Sequence, residues 1–298
     1  MKAFRGTYTV LITPMTEDGR QVDVPALKTL VNWQIEQGIH GLIPLGSTGE
    51  FLSLTEDERR LVIETCVATA AKRVPVLIGT GAEWTDECMR LSREAQQMGA
   101  DGVMIIPPFY STPTDDELFE HYRKVGEAID IPIMIYNNPA TANVDLHPEL
   151  VARLSRIDTC QYIKESTLEV TRVRDIIELC GDRMTVFAGI LGYESFWLGA
   201  QGWVAVCSNL IPRMSAQLFE LVADHGNQAE ALALYRKMLP IVRWVGGHRY
   251  VAASKDGLTM MGLPVGKPRP PRLPLPEADR HDLRKELDRL GLLDSITA

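Results

Sequence analysis

A (β/α)8 barrel is the fold the sequence predicts, and three observations carry that prediction. Eight apolar, β-branched runs alternate with helical patterns. The chain has 298 residues, enough for a barrel of ~250 residues and a further segment. No dinucleotide fingerprint favours a doubly wound sheet instead.

The strand candidates are GTYTVLITP (6–14), HGLIPLG (40–46), VPVLIGTG (74–81), DGVMIIPP (101–108), IPIMIYN (131–137), CQYIKES (160–166), MTVFAGI (184–190) and GWVAVCSN (202–209). VPVLIGTG is nearly all apolar, as a strand buried on both faces requires. Residues 23–37 read as a helix, with Asp23 as N-cap, Pro25 in the first turn and Gly38 as the stop. Residues 55–71 open with Thr55 and Glu58, a capping box, and Thr114 with Glu117 forms a second one. Asp145, followed by Pro148, is expected to open PELVARLSRI, and Thr167 to open LEVTRVRDIIELC before Gly181. A short helical segment, YESFWLGA, precedes the last strand.

After residue 210 the pattern is wholly helical, with a Pro-rich stretch from Gly266 to Pro276 and a last amphipathic helix over 277–291. The expected organisation is therefore a catalytic barrel over 1–210 and a helical extension over 211–298 packed on it. That extension suits either an oligomer contact or plain stabilisation.

Composition narrows the function. Hydrophobic residues make up 45% and charged residues 23%, an ordinary balance for a globular chain. The formal net charge of −8, with no basic block, argues against a nucleic-acid partner. It also mildly repels an anionic substrate, so such a substrate needs local donors. No run approaches the ~18 apolar residues of a membrane span, and MKAFRGTYTVLITPM reads as a strand, not a leader. Five scattered Cys without C-x-x-C spacing fit thiols in a reducing cytoplasm better than disulfides or zinc. The six His form no ligand pairing, so no metal and no cofactor is expected.

Barrel enzymes carry their reacting groups at strand C-terminal ends. Here those ends hold Gly46-Ser47-Thr48-Gly49-Glu50, Phe109-Tyr110, Tyr136-Asn137-Asn138-Pro139, Lys164-Glu165-Ser166-Thr167, Gly189 and Val204. Lys164 follows Tyr162-Ile163 in an apolar strand. Burying an ammonium is costly, so desolvation favours the free amine, a nucleophile for a ketone. The same position also suits a lysine that snorkels to the mouth or pairs with Glu165. Tyr136 offers a phenol for proton relay, or a packed ring with its hydroxyl on backbone. The Gly-rich turn offers consecutive amides and two hydroxyls for a carboxylate; without a Walker lysine it is no nucleotide loop. Gly189 to Gly192 also suits a barrel phosphate loop, though nothing else supports that.

Together the motifs G-S-T-G-E (46–50), P-P-F-Y (107–110), Y-N-N-P (136–139), I-K-E-S-T (163–167), F-A-G (187–189) and G-W-V-A-V (202–206) resemble those of the dihydrodipicolinate synthase / N-acetylneuraminate lyase family, over essentially the whole chain. The resemblance implies that Lys164 forms a Schiff base with pyruvate or a longer 2-keto acid and that Tyr136 is the general acid/base. It implies that Ser47 and Thr48 bind the carboxylate, that Ser47 passes protons toward Tyr136, and that Tyr110 completes the relay. It further implies that Gly189 and Val204 line the pocket through backbone groups and that the assembly is a homotetramer of tight dimers.

One position departs from the synthases. Their tyrosine motif continues with an arginine two residues after the proline, where this chain has Thr141. Threonine cannot make the bidentate, charge-assisted contact to a carboxylate that arginine makes. Thr141 and Asn143 instead suit a neutral, hydroxylated substrate, which points to cleavage or dehydration of sugar-derived 2-keto acids. A 4-hydroxy-tetrahydrodipicolinate synthase, a non-catalytic small-molecule binder and an unrelated phosphate- or metal-using barrel are the alternatives.

Overall fold

The computed structural model describes residues 3–296. Among them, eight strands alternate with helices: β1 (Gly6–Val10), β2 (Gly41–Ile43), β3 (Leu77–Gly79), β4 (Gly102–Ile105), β5 (Ile133–Asn137), β6 (Cys160–Glu165), β7 (Thr185–Ala188) and β8 (Gly202–Ala205). They form one sheet in the order β2-β1-β8-β7-β6-β5-β4-β3, with parallel pairing at each register determined. The fold class is the (β/α)8 barrel that the strand–helix alternation predicts. The helices between strands are α1 (Val24–Glu36), α2 (Glu56–Ala70), α3 (Thr85–Gln97), α4 (Asp115–Glu127), α5 (Pro148–Leu154), α6 (Arg172–Cys180) and α7 (Gly192–Trp197). Four more follow: α8 (Pro212–Phe219), α9 (Gln228–Trp244), α10 (Tyr250–Met260) and α11 (Glu277–Arg289). None is long and apolar enough to cross a membrane.

Local chemistry sets the helix ends. The Asp23 side chain accepts from the Ala26 amide to start α1, and the two expected capping boxes are both formed, Thr55 with Glu58 and Thr114 with Glu117. One expected cap and one expected start are corrected. Helix α5 begins at Pro148 as expected, but Asp145 does not cap it, because its carboxylate is bonded to Arg172 and Asn137. Helix α6 begins only at Arg172, because the Thr167 amide donates to Glu165 and the chain turns first. Helix α3 was not expected. Its buried stripe is Cys88, Leu91, Ser92 and Ala95, correctly spaced for a helix but only weakly apolar, and no side chain caps its start.

The chain divides into two compact units, one of residues up to Gly6 with Pro75–Val204, the other of Thr7–Val74 with the chain from Ala205 onward. In the first unit β5 and β6 are paired through an irregularity. Ile133 faces Cys160, but Met134 faces Tyr162, leaving Gln161 as one extra residue in β6. Beyond that bulge Tyr136 stands opposite Lys164 and Asn137 opposite Glu165. Below Lys164 on the same face, Tyr162 stacks on Phe4 at 4.8 Å and meets Phe187 edge-on at 6.1 Å. In the second unit Tyr8 of β1 lies so close to Gly41 of β2 that a Cβ there would sit 2.1 Å from its ring. There too, Gln34 of α1 bridges the Thr9 hydroxyl and the Ser208 carbonyl.

Helix α4 carries His121, 4% exposed, with Nδ1 at 3.0 Å from the Thr85 hydroxyl. Burial pushes this imidazole down to about 4, partly opposed by Glu83. The unfolded chain takes up the proton near pH 6.5, while the folded protein resists until about pH 4. The unfolded state therefore binds more protons in that window, and stability falls as pH drops through it, by ~3 kcal/mol in all. Denaturant melts between pH 7 and 4.5 should give a clearly shallower loss in His121→Gln than in the wild type. An identical loss in both would mean that His121 does not carry the effect.

Candidate active site

Lys164 and Tyr136 are each 6% exposed. As register partners on adjacent parallel strands they project from the same face, and the Lys164 amine nitrogen sits 3.9 Å from the Tyr136 ring centroid. The amine is therefore neither snorkelled into solvent nor ion-paired to Glu165. The Glu165 carboxylate accepts from the Asn137 side-chain amide at 3.0 Å and from the Thr167 backbone amide at 2.8 Å. Asn137 also donates to Asp145 at 3.2 Å and accepts from the Leu146 amide at 3.0 Å. Asp145 in turn is held by a two-pronged Arg172 guanidinium, at 2.6 and 2.8 Å. Burial alone would raise the Asp145 carboxyl, but the Arg172 and Asn137 hydrogen bonds hold it below the usual carboxylate range. This network ties the ends of β5 and β6 together and leaves the amine and the phenol to face each other.

The Tyr136 hydroxyl accepts from the Asn138 side-chain amide at 2.8 Å. Two residues after Lys164, Ser166 is 4% exposed and its Oγ has no hydrogen-bond partner. Space for that hydroxyl exists only because residue 189 is glycine: a Cβ there would lie 1.7 Å from the Ser166 Oγ. The Gly189 amide itself donates to the Glu165 carbonyl at 2.7 Å. Val204 is fully buried in β8.

Tyr110 stands apart from this cluster, with its side chain 85% exposed. Its loop is nevertheless held by hydrogen bonds. The Glu83 carboxylate accepts from the amides of Phe109, Tyr110 and Ser111 at 2.9, 3.0 and 2.9 Å, and Asn143 donates to the Tyr110 carbonyl at 2.8 Å. Thr141 is exposed, and its hydroxyl reaches the Asn138 carbonyl at 3.3 Å.

The Gly46–Glu50 turn belongs to the second unit. The amides of Gly49 and Glu50 donate to the carbonyls of Gly46 and Ser47, so these two donors close the turn. Ser47 and Thr48 bring the hydroxyls, with Thr48 buried. Leu45 and Glu50 bracket the turn in left-handed backbone, at φ 60° and 55°, a conformation non-glycine residues resist. What holds it is a buried ion pair. Glu50 meets Lys255 of α10 at 2.6 Å, with side-chain exposures of 0% and 2%. Burial pushes the Lys255 ammonium down and Glu50 pushes it back up. Glu50 also accepts from the Arg269 amide at 2.8 Å. The Arg269 guanidinium bonds Glu58 and the carbonyls of Gly19, Arg20 and Ser53, which pins the Pro-rich segment.

Lys255, Arg269, Asn138 and the Asp145–Arg172 pair escaped the sequence reading. Only Asn138 had a visible marker, its place within the tyrosine motif. The others are brought close by folding from distant parts of the chain. Among the described residues no group of three or more His, Cys, Asp or Glu is arranged to hold a metal.

The fold and site together define a parallel strand–helix barrel with a buried lysine against a tyrosine at strand C-terminal ends. The chain belongs to the dihydrodipicolinate synthetase family, whose model matches residues 3–290. It is 36% identical over 293 residues to the 4-hydroxy-tetrahydrodipicolinate synthase of Syntrophobacter fumaroxidans, covering 97% of this chain and 100% of that one. Among solved structures it is similar to a chloride-inhibited dihydrodipicolinate synthase from Acinetobacter baumannii complexed with pyruvate, with TM-score 0.94, 32% identity and coverage of 98% and 100%. It is also similar to YagE of Escherichia coli K12, a prophage protein of the same family in complex with pyruvate, with TM-score 0.91, 32% identity and coverage of 97% and 99%.

Removing Lys255 strands a buried carboxylate, so Lys255→Met should cost roughly 3–5 kcal/mol. Glu50→Gln/Lys255→Met, which removes both charges, should recover a large part of that in urea melts. A double variant as unstable as the sum of the single variants would mean that the two charges do not act on each other.

Proposed function

We propose that this chain is a class I, Schiff-base-forming lyase that acts on pyruvate or a longer 2-keto acid through Lys164. The observation that carries the reading is the buried Lys164 amine, 3.9 Å from the centroid of the Tyr136 ring. An uncharged amine there attacks the keto carbon, and Tyr136 moves protons to and from the resulting carbinolamine. Ser47 and Thr48 receive the substrate carboxylate, with Ser47 passing protons on, and Tyr110 completes the relay. Gly189 and Val204 present backbone to the substrate. Family membership and the pyruvate complexes of two similar proteins support this reading. The exposed Tyr110 side chain supports an oligomer, a dimer of dimers, in which a neighbour covers it. Residues 1–210 then serve as the catalytic barrel and 211–298 as its extension, in a cytoplasmic, metal-independent enzyme.

Two observations favour a neutral, hydroxylated second half of the substrate. Thr141 stands where a synthase has its carboxylate-binding arginine. The buried Ser166 hydroxyl, two residues after Lys164 and against Gly189, lacks a partner, and a substrate hydroxyl can supply one. Condensation of pyruvate with aspartate semialdehyde is the second reading, supported by the names of the curated relatives.

Borohydride reduction with pyruvate, followed by peptide mass mapping, is expected to place an adduct on Lys164. Absence of an adduct with pyruvate and with every longer 2-keto acid tested would rule out the mechanism. Turnover should persist in excess chelator; its loss, restored by a divalent metal, would contradict metal independence. Thr141→Arg should raise condensation with aspartate semialdehyde by roughly 10-fold or more, the scale of a charge-assisted contact. If the wild type already condenses these two efficiently, the second reading replaces the first.

A further inference from the structure

The strand that carries Tyr136 ends at Asn137, and the two asparagines that follow the tyrosine play different parts. The Asn137 side chain is engaged with Glu165, Asp145 and Leu146. Asn138 turns back to the phenol. Pro139 confines Asn138 to extended backbone and fixes its own φ. The Asn138 carbonyl accepts from the amides of Thr141 and Ala142 at 3.0 and 2.9 Å, which locks the turn from the other side. With its backbone so constrained, Asn138 donates its side-chain N–H to the Tyr136 oxygen at 2.8 Å.

The direction of that bond matters. A phenol can both donate and accept. Here the amide is the donor, so the Tyr136 proton is not used by its neighbour and is free for a reacting oxygen. We propose that Asn138 is a positioning residue for Tyr136, which aims the phenol and stabilises the phenolate formed during imine formation. This role rests on the Schiff-base reading of Lys164. Attack of the amine on the keto carbon gives a carbinolamine. Tyr136 then gives its proton to the carbinolamine hydroxyl, the C–O bond breaks and the nitrogen lone pair forms the C=N bond. Water, a cationic iminium on Lys164 and the Tyr136 phenolate result, and charge is balanced. The N–H bond to the oxygen strengthens as that oxygen becomes anionic, so Asn138 holds the transition state more tightly than the ground state.

The test is a double-mutant cycle on the single-turnover rate of adduct formation with pyruvate, sampled by borohydride quench. Asn138→Leu is expected to slow the rate by roughly 10-fold or more, with little change in half-saturating pyruvate. On a Tyr136→Phe background the same substitution is expected to cause no further slowing, a result that a merely structural role would not give. Equal slowing in both backgrounds overturns the role, and so does an unchanged rate in Asn138→Leu. Should leucine prevent folding, Asn138→Ala carries the same cycle. Absence of any adduct in the wild type overturns the Schiff-base reading and this role with it, whereas additive losses on an intact wild-type reaction overturn this role alone.

Discussion

The pairing of β5 with β6 is the constraint on which the candidate chemistry depends. Parallel strands in register present their partners side by side on one face, so the partner of Lys164 decides what the amine meets. The extra residue at Gln161 makes that choice. Continued without a bulge, the register would set Lys164 against Asn137 and Tyr136 against Ile163. With it, amine and phenol come together at the end of the sheet where barrel chemistry takes place. A one-residue irregularity near the strand start thus sets what Lys164 faces three residues later.

Around that contact the neighbouring polar groups are engaged with one another, not with the lysine amine. Glu165, adjacent to the lysine, is drawn off by Asn137 and Thr167, and Asp145 and Arg172 complete the chain behind them. The tyrosine oxygen is met by a donor rather than an acceptor. In the second unit the same principle holds the Gly-rich turn. Its left-handed residues persist because Glu50 is tied to Lys255 and to the Arg269 backbone. The helical tail therefore does more than cover surface: it supplies the cation and the amide that fix a turn near the start of the chain.

Much of this was legible in the sequence because the relevant forces are local. Capping boxes at Thr55 and Thr114, the Asp23 cap and the eight apolar runs each depend on neighbours within a few residues, and each is formed. Errors arose where a side chain chose a distant partner. Asp145 reads as a cap by its spacing to Pro148 but binds Arg172, 27 positions on. Helix α3 carries no side-chain cap to mark its start, and its inward stripe of Cys88, Leu91, Ser92 and Ala95 holds one large apolar residue. In the site, Lys164 and Tyr136 could be placed at strand ends, but their register could not, since a bulge has no composition mark. Lys255 lies 205 positions from Glu50, a separation at which no pattern in the chain relates them.

The central claim is that the Lys164 amine, seated on the Tyr136 ring, forms a covalent bond with a ketone. Carbon-13 NMR of the protein with pyruvate labelled at the keto carbon examines that bond without trapping it. A protein-bound imine resonance is expected in the wild type, abolished in Lys164→Met and slower to form in Tyr136→Phe. A resonance that survives in Lys164→Met, or that never appears for pyruvate or a longer 2-keto acid, would contradict the claim.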